Sequence, residues 1–122
     1  MRINLILESR ELGGEPDIKA VPAIKKIGEN SISYKFIDEF GKTSIEIFKN
    51  SAIISREGTA KCSMILKKGI NTPFDYVTEY INTSFDLFTK EFDISEGGFK
   101  AVYVMYQNGE LINEINLSVY EK

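Results

Sequence analysis

Signals for chain reversal recur along this sequence about every eight to twelve residues: Gly13-Gly14, Gly28-Glu29-Asn30, Glu39-Phe40-Gly41, Lys49-Asn50-Ser51, Glu57-Gly58, Lys68-Gly69, Gly97-Gly98 and Asn108-Gly109. Short segments at such regular spacing belong to a β-sandwich or a β-barrel. Asn108-Gly109 is the sharpest of these signals, because both residues tolerate the positive φ that a type I′ hairpin needs.

Between the signals the residues alternate with the two-residue period of strands. Ile32, Tyr34 and Phe36 share one face of their segment while Ser31, Ser33 and Lys35 share the other. The same pattern groups Ile3, Leu5 and Leu7, then Thr43, Ile45 and Ile47, and finally Leu111, Ile115, Leu117 and Val119. The stretches Phe85 to Phe92 and Phe99 to Tyr106 carry large apolar groups on both parities, which calls for cover on two sides. Pro22 has no N–H to donate, so the segment Ile18 to Ile27 reads as an edge or bulged strand, and an edge is a place where another chain can pair.

The stretch 73–82 admits two readings. Thr72-Pro73-Phe74-Asp75 carries the cap, first-turn proline and early acid of a helix start, which would put Phe74, Val77 and Ile81 on one face. As a strand it instead aligns Phe74, Tyr76, Thr78 and Tyr80, and its β-branched and aromatic content favours the strand. The expected architecture is all-β: one antiparallel, mostly up-and-down barrel of eight to ten strands over residues 1–122, with little or no helix.

A chain of 122 residues with 43% hydrophobic and 27% charged residues is within the usual size and composition of one globular domain. No apolar run approaches the roughly 20 residues of a bilayer helix, and Met1-Arg2-Ile3-Asn4-Leu5 alternates where a signal peptide is continuously apolar. The single cysteine, Cys62, cannot form an internal disulfide and fits a reducing compartment as a buried structural thiol. These features point to a cytoplasmic protein with no membrane partner. A net charge of −3 argues against a surface built for nucleic acid.

The chain has no histidine, which removes Ser-His-Asp and Cys-His nucleophile pairs, the usual imidazole base and the commonest transition-metal ligand. Neither a resident cofactor nor a catalytic site is expected. Gly41-Lys42-Thr43-Ser44 ends like a phosphate-binding P-loop, but Phe36 stands where the first glycine belongs, and the segment lies between two strands rather than before a helix. Asp38-Glu39, and the acids from Asp93 to Glu96, adjoin turns, where solvated carboxylates normally sit. Glu91 shares parity with Phe85, Leu87 and Thr89 and reads as a strand end emerging at the rim.

The candidate ligand-binding residues are those expected inside the barrel or at its mouth. Tyr34, Phe36, Phe85 and Tyr103 supply apolar lining, together with Ile32, Leu87 and Met105, and Tyr76 adds a hydroxyl near the rim. Arg56 closes an apolar strand, either to bind an anion or to stack over an aromatic ring. Asn113 interrupts the apolar parity of the last strand, bonded either to a barrel neighbour or to a ligand.

The run Ile53-Ile54-Ser55-Arg56-Glu57-Gly58, then Ser63-Met64-Ile65-Leu66-Lys67-Lys68-Gly69, Tyr76-Val77-Thr78 and a terminal hairpin closing on Asn116-Leu117-Ser118-Val119, is similar to the YwiB-like family of small, uncharacterised bacterial proteins. The resemblance spans nearly the whole chain and implies a calycin-type, lipocalin-like barrel. It implies no reaction. The chain departs from the family after Thr78, where Tyr80-Ile81-Asn82-Thr83-Ser84 stands in place of a turn glycine.

Two functions of different class fit these features. In one, the barrel holds a small, largely apolar molecule. In the other, the same residues fill the barrel and the protein is an interaction module or homodimer that uses an edge and the outward Val102, Val104 and Tyr106.

Overall fold

The structure is a computed structural model that describes residues 1–122 throughout. It consists of ten strands: β1 (Arg2–Glu11), β2 (Asp17–Ile27), β3 (Ile32–Asp38), β4 (Gly41–Ile47), β5 (Ser51–Gly58), β6 (Ala60–Lys67), β7 (Asn71–Thr78), β8 (Asn82–Ser95), β9 (Gly98–Gln107) and β10 (Glu110–Glu121). Each strand pairs antiparallel with the next, and β1 closes the barrel against β10. No helix forms, so none is long and apolar enough to cross a membrane. The strand reading of 73–82 holds as far as Thr78, and Phe74 is buried with its ring 6.0 Å from that of Phe85. Val77 and Ile81, the rest of the helical face, are exposed.

Inward positions follow the expected alternation over β1, β3 and β4, and the interior differs between its two ends. Toward the end where β1 starts and β10 finishes, Leu5, Tyr34, Ile45, Leu66, Leu87 and Val119 are all 0% exposed. Burying each such side chain contributes about 1.5 to 3 kcal/mol. Glu121 caps this closed end by accepting hydrogen bonds from Lys25 Nζ and the Tyr34 hydroxyl, both at 2.6 Å. Toward the opposite, open end the inward Leu7, Ile54, Arg56, Cys62, Phe85 and Met105 are only half-buried.

Two register shifts change the parity of long strands. One lies between Thr89 and Glu91 of β8. It turns Glu91 outward, 3.3 Å from Lys68, and Phe92 inward to stack on Phe99 at 5.3 Å. Glu91 is therefore not a rim residue of the inner face, and the two-sided apolar pattern of 85–92 arises largely because a bulge interrupts a single inward face. The other shift, between Leu111 and Asn113 of β10, puts Leu111 opposite the outward Tyr106 and leaves it exposed rather than grouped with Ile115 and Leu117.

The outer face of β9 is partly covered from within the chain, with Val102 and Tyr106 half-buried. The Lys90–Glu114 ion pair, 2.9 Å long, joins β8 to β10 across it, and Val104, opposite Glu114, is buried. Asn108 (φ 53°) and Gly109 (φ 81°) make the expected hairpin with both residues left-handed. Gly41 and Gly58 face each other across β4 and β5 so closely that a Cβ on Gly41 would lie 2.1 Å from the Glu57 carbonyl oxygen. That glycine serves the strand crossing and not a phosphate. The missing turn glycine after Thr78 is replaced by side-chain chemistry, since Thr78 Oγ1 accepts the Tyr80 and Ile81 N–H groups at 3.2 and 3.0 Å.

Candidate functional site: a seam in the barrel wall

The strand β2 is not bulged, and on one side it is an edge over part of its length. It pairs with β1 from Asp17 to Ile24, but with β3 only from Ile24 to Ile27. Pro22 explains where that second ladder stops. Lys25 N–H donates to the Met1 carbonyl and Gly28 N–H to the Ser31 carbonyl, so the even-numbered residues of β2 direct their backbone groups at β3. Continuing the register from Ile24↔Lys35, the next hydrogen-bonded pair would be Pro22 with Ile37. Pro22 has no N–H to give, and the wall parts there. Beyond the gap the strands are tied again by an ion pair from Lys19 Nζ to Asp38 Oδ2, 2.5 Å.

A weaker echo occurs between β6 and β7, which pair only through Ala60, Lys61 and Cys62. There Pro73 would face Ile65, and the Thr72 hydroxyl donates to the Ile65 carbonyl at 3.2 Å in place of the absent N–H. That side-chain bond repairs the second gap. No such bond crosses the first.

A cavity of about 720 Å³ lies over the β2–β3 seam, a size typical of small-molecule sites. Its apolar lining is Pro22, Ala23, Ile24, Phe36 and Ile37, with the aliphatic stems of Arg2, Lys35 and Lys42 around it. Thr43 also lines it and is buried, at 3% exposed, and its Oγ1 is the one buried side-chain polar atom without a hydrogen-bond partner. Arg2, Lys35 and Lys42 form no ion pair, like most of the fifteen Lys and Arg residues.

The residues picked out from sequence are divided by this geometry. Phe36 lies at the seam. Through the cross-strand pairs Phe36↔Thr43, Thr43↔Arg56, Arg56↔Cys62 and Cys62↔Tyr76 it shares one rank of the wall with Arg56 and Tyr76. Arg56 makes no hydrogen bond or ion pair, and the cation found over an aromatic ring is Lys19, 5.8 Å from the Phe40 centroid. The guanidinium of Arg56 acts at longer range, adding to the Lys19 hydrogen bond that chiefly holds the Asp38 carboxyl below its usual value. It also opposes the burial that raises the half-buried Cys62 thiol.

Phe85 packs on Phe74 near the open end. Tyr103 is buried, which together with the nearby Cys62 pushes its hydroxyl up to about 12. Tyr34 is remote from the seam in function: its hydroxyl is spent on Glu121, and burial followed by that carboxylate raises its pKa strongly. Asn113 uses its Oδ1 locally, accepting from the Glu114 N–H at 2.9 Å beside the β10 bulge.

Sequence reasoning passes over Pro22, Lys35 and Lys42 as parts of a site. Pro22 is the available signal, since a proline inside a strand marks a missing ladder bond.

No curated protein matches the chain. Among solved structures it is similar to the ywiB protein from Bacillus subtilis, with a TM-score of 0.72 and 14% identity over 99% of this chain and 92% of that one. That likeness bears on the fold. The family described as a domain of unknown function (DUF1934) matches residues 23–119, and the chain, a YwiB-like β-barrel, belongs to it.

Proposed function

We propose that this protein binds a small, largely apolar molecule, and that the site is the β2–β3 seam rather than the barrel axis. The observation that carries the reading is the 720 Å³ cavity opened where Pro22 interrupts the wall. The axis offers less, because Tyr34 and Leu87, two of its expected lining residues, are fully buried in packed core. The alternative of an interaction module draws on a free edge and on the outer face of β9. In the closed barrel the unpaired edge is confined to short stretches such as β2 before Ile24, and Val104 is covered.

The chain has no tryptophan, so Ile37→Trp, on an exposed part of the cavity wall, provides a single tryptophan that can be excited apart from the tyrosines. Titration with decanol is expected to shift its emission to shorter wavelength and to saturate. The same substitution at Tyr76, on the barrel rim, is expected to report nothing. A flat titration at Ile37→Trp, or saturation at Tyr76→Trp instead, would overturn the assignment.

A further inference from the structure

We infer that the occupant of the seam is an amphipathic anion, a single-chain molecule whose anionic head lies between Arg2 and Lys35 and whose apolar body runs along Pro22 and Ile37 to Phe36. This rests on the binding reading above and adds the ligand's chemistry to it. Arg2 and Lys35 are both register partners of Ile24, one on β1 and the other on β3, so they flank it on the outer face. Their Cα atoms are two strand spacings apart, about 10 Å, a gap that two long side chains can close onto one anion. Neither has a carboxylate partner, as is true of most of the fifteen Lys and Arg residues, so what sets these two apart is their position on either side of an apolar lining.

The nearest counter-charge in the lining is Glu57, which is the register partner of Lys42 and lies on β5, well around the wall from Arg2. The positive side of the cavity is therefore the β1–β3 side, next to the apolar one. A neutral ligand would leave both cations unused. A cationic ligand would be repelled by them.

The test compares decanoate with decanol of equal chain length, each below the concentration at which it forms micelles, by following backbone amide shifts of the full chain. Decanoate is expected to bind about tenfold more tightly at low salt, as two charge-assisted contacts at an exposed rim allow, with the gap narrowing as salt is added. In the double variant Arg2→Gln, Lys35→Gln, both changes at exposed positions, decanoate is expected to weaken to the level of decanol while decanol is unaffected. Equal affinities in the unmodified protein would overturn the anionic head and leave the apolar site standing. A preference that survives the double variant would also overturn it, by placing the head elsewhere. Failure of both probes to bind would remove the seam site itself.

Discussion

At the closed end of the barrel, the Glu121 carboxylate takes hydrogen bonds from Lys25 and Tyr34, and the side chains beneath are fully buried. Across the β2–β3 seam, by contrast, the backbone ladder stops at Ile24, Arg2 and Lys35 have no counter-charge, and Ile24 and Ile37 stand exposed. Both regions are built from the same alternating strands, so alternation alone does not decide which region of a barrel is filled. The difference lies in whether the wall has been given its full ladder. Where it has, packing is the whole purpose. Where it has not, the wall parts and its side chains stay accessible to a ligand.

The comparison breaks most visibly through large-to-small substitution. Leu87→Ala, at a fully buried position of the closed half, is expected to cost about 2 to 5 kcal/mol in urea unfolding. A cost below about 1 kcal/mol would mean that this half is not tightly packed. Next in size is Glu121→Gln. The Lys25 hydrogen bond first, then that of Tyr34, holds the Glu121 carboxyl below the ordinary glutamate range.

A carboxyl with a lowered folded pKa stabilises the protein above its unfolded pKa, and that contribution is lost as pH falls through the folded value. The variant should thus be less stable by about 1 to 2 kcal/mol near neutral pH, with the difference from the unmodified protein fading under acid. A difference that stayed constant down to acid pH would show that the loss is not electrostatic. Smallest is Ile37→Ala at the seam, expected within about 0.5 kcal/mol of the unmodified protein because the side chain is 71% exposed. The same change should weaken decanol binding, and together those two results would separate a binding wall from a structural one.

Much of the barrel is legible from residue order. The inward sets on β1, β3 and β4, the Asn108-Gly109 hairpin and the choice of strand over helix at Phe74 all follow from local pattern. The misassignments of Glu91 and Leu111 share one cause. The bulges near Lys90 and Ile112 carry no glycine or proline to announce them, and one extra residue reverses every later parity. Pro22 correctly marks a place where β2 loses a neighbour, but which neighbour it loses is settled only by the register of β2 against β3. Likewise, Tyr34 looks available to a ligand because its partner, Glu121, is 87 positions away. Of the site, Phe36 is legible through its inward parity. The cationic rim is not, since Arg2 and Lys35 read as ordinary solvated surface until β1, β2 and β3 are placed side by side.

The central claim is that one missing N–H opens the wall and so creates the site, and the most direct measurement is on Pro22→Val. Valine suits a strand and restores the donor opposite the Ile37 carbonyl. Amide hydrogen exchange should show the new residue 22 amide protected and the seam closed, with decanol binding weakened at least about tenfold, or 1.4 kcal/mol. A protected amide with undiminished binding, or an amide that exchanges as freely as an exposed loop, would contradict the account.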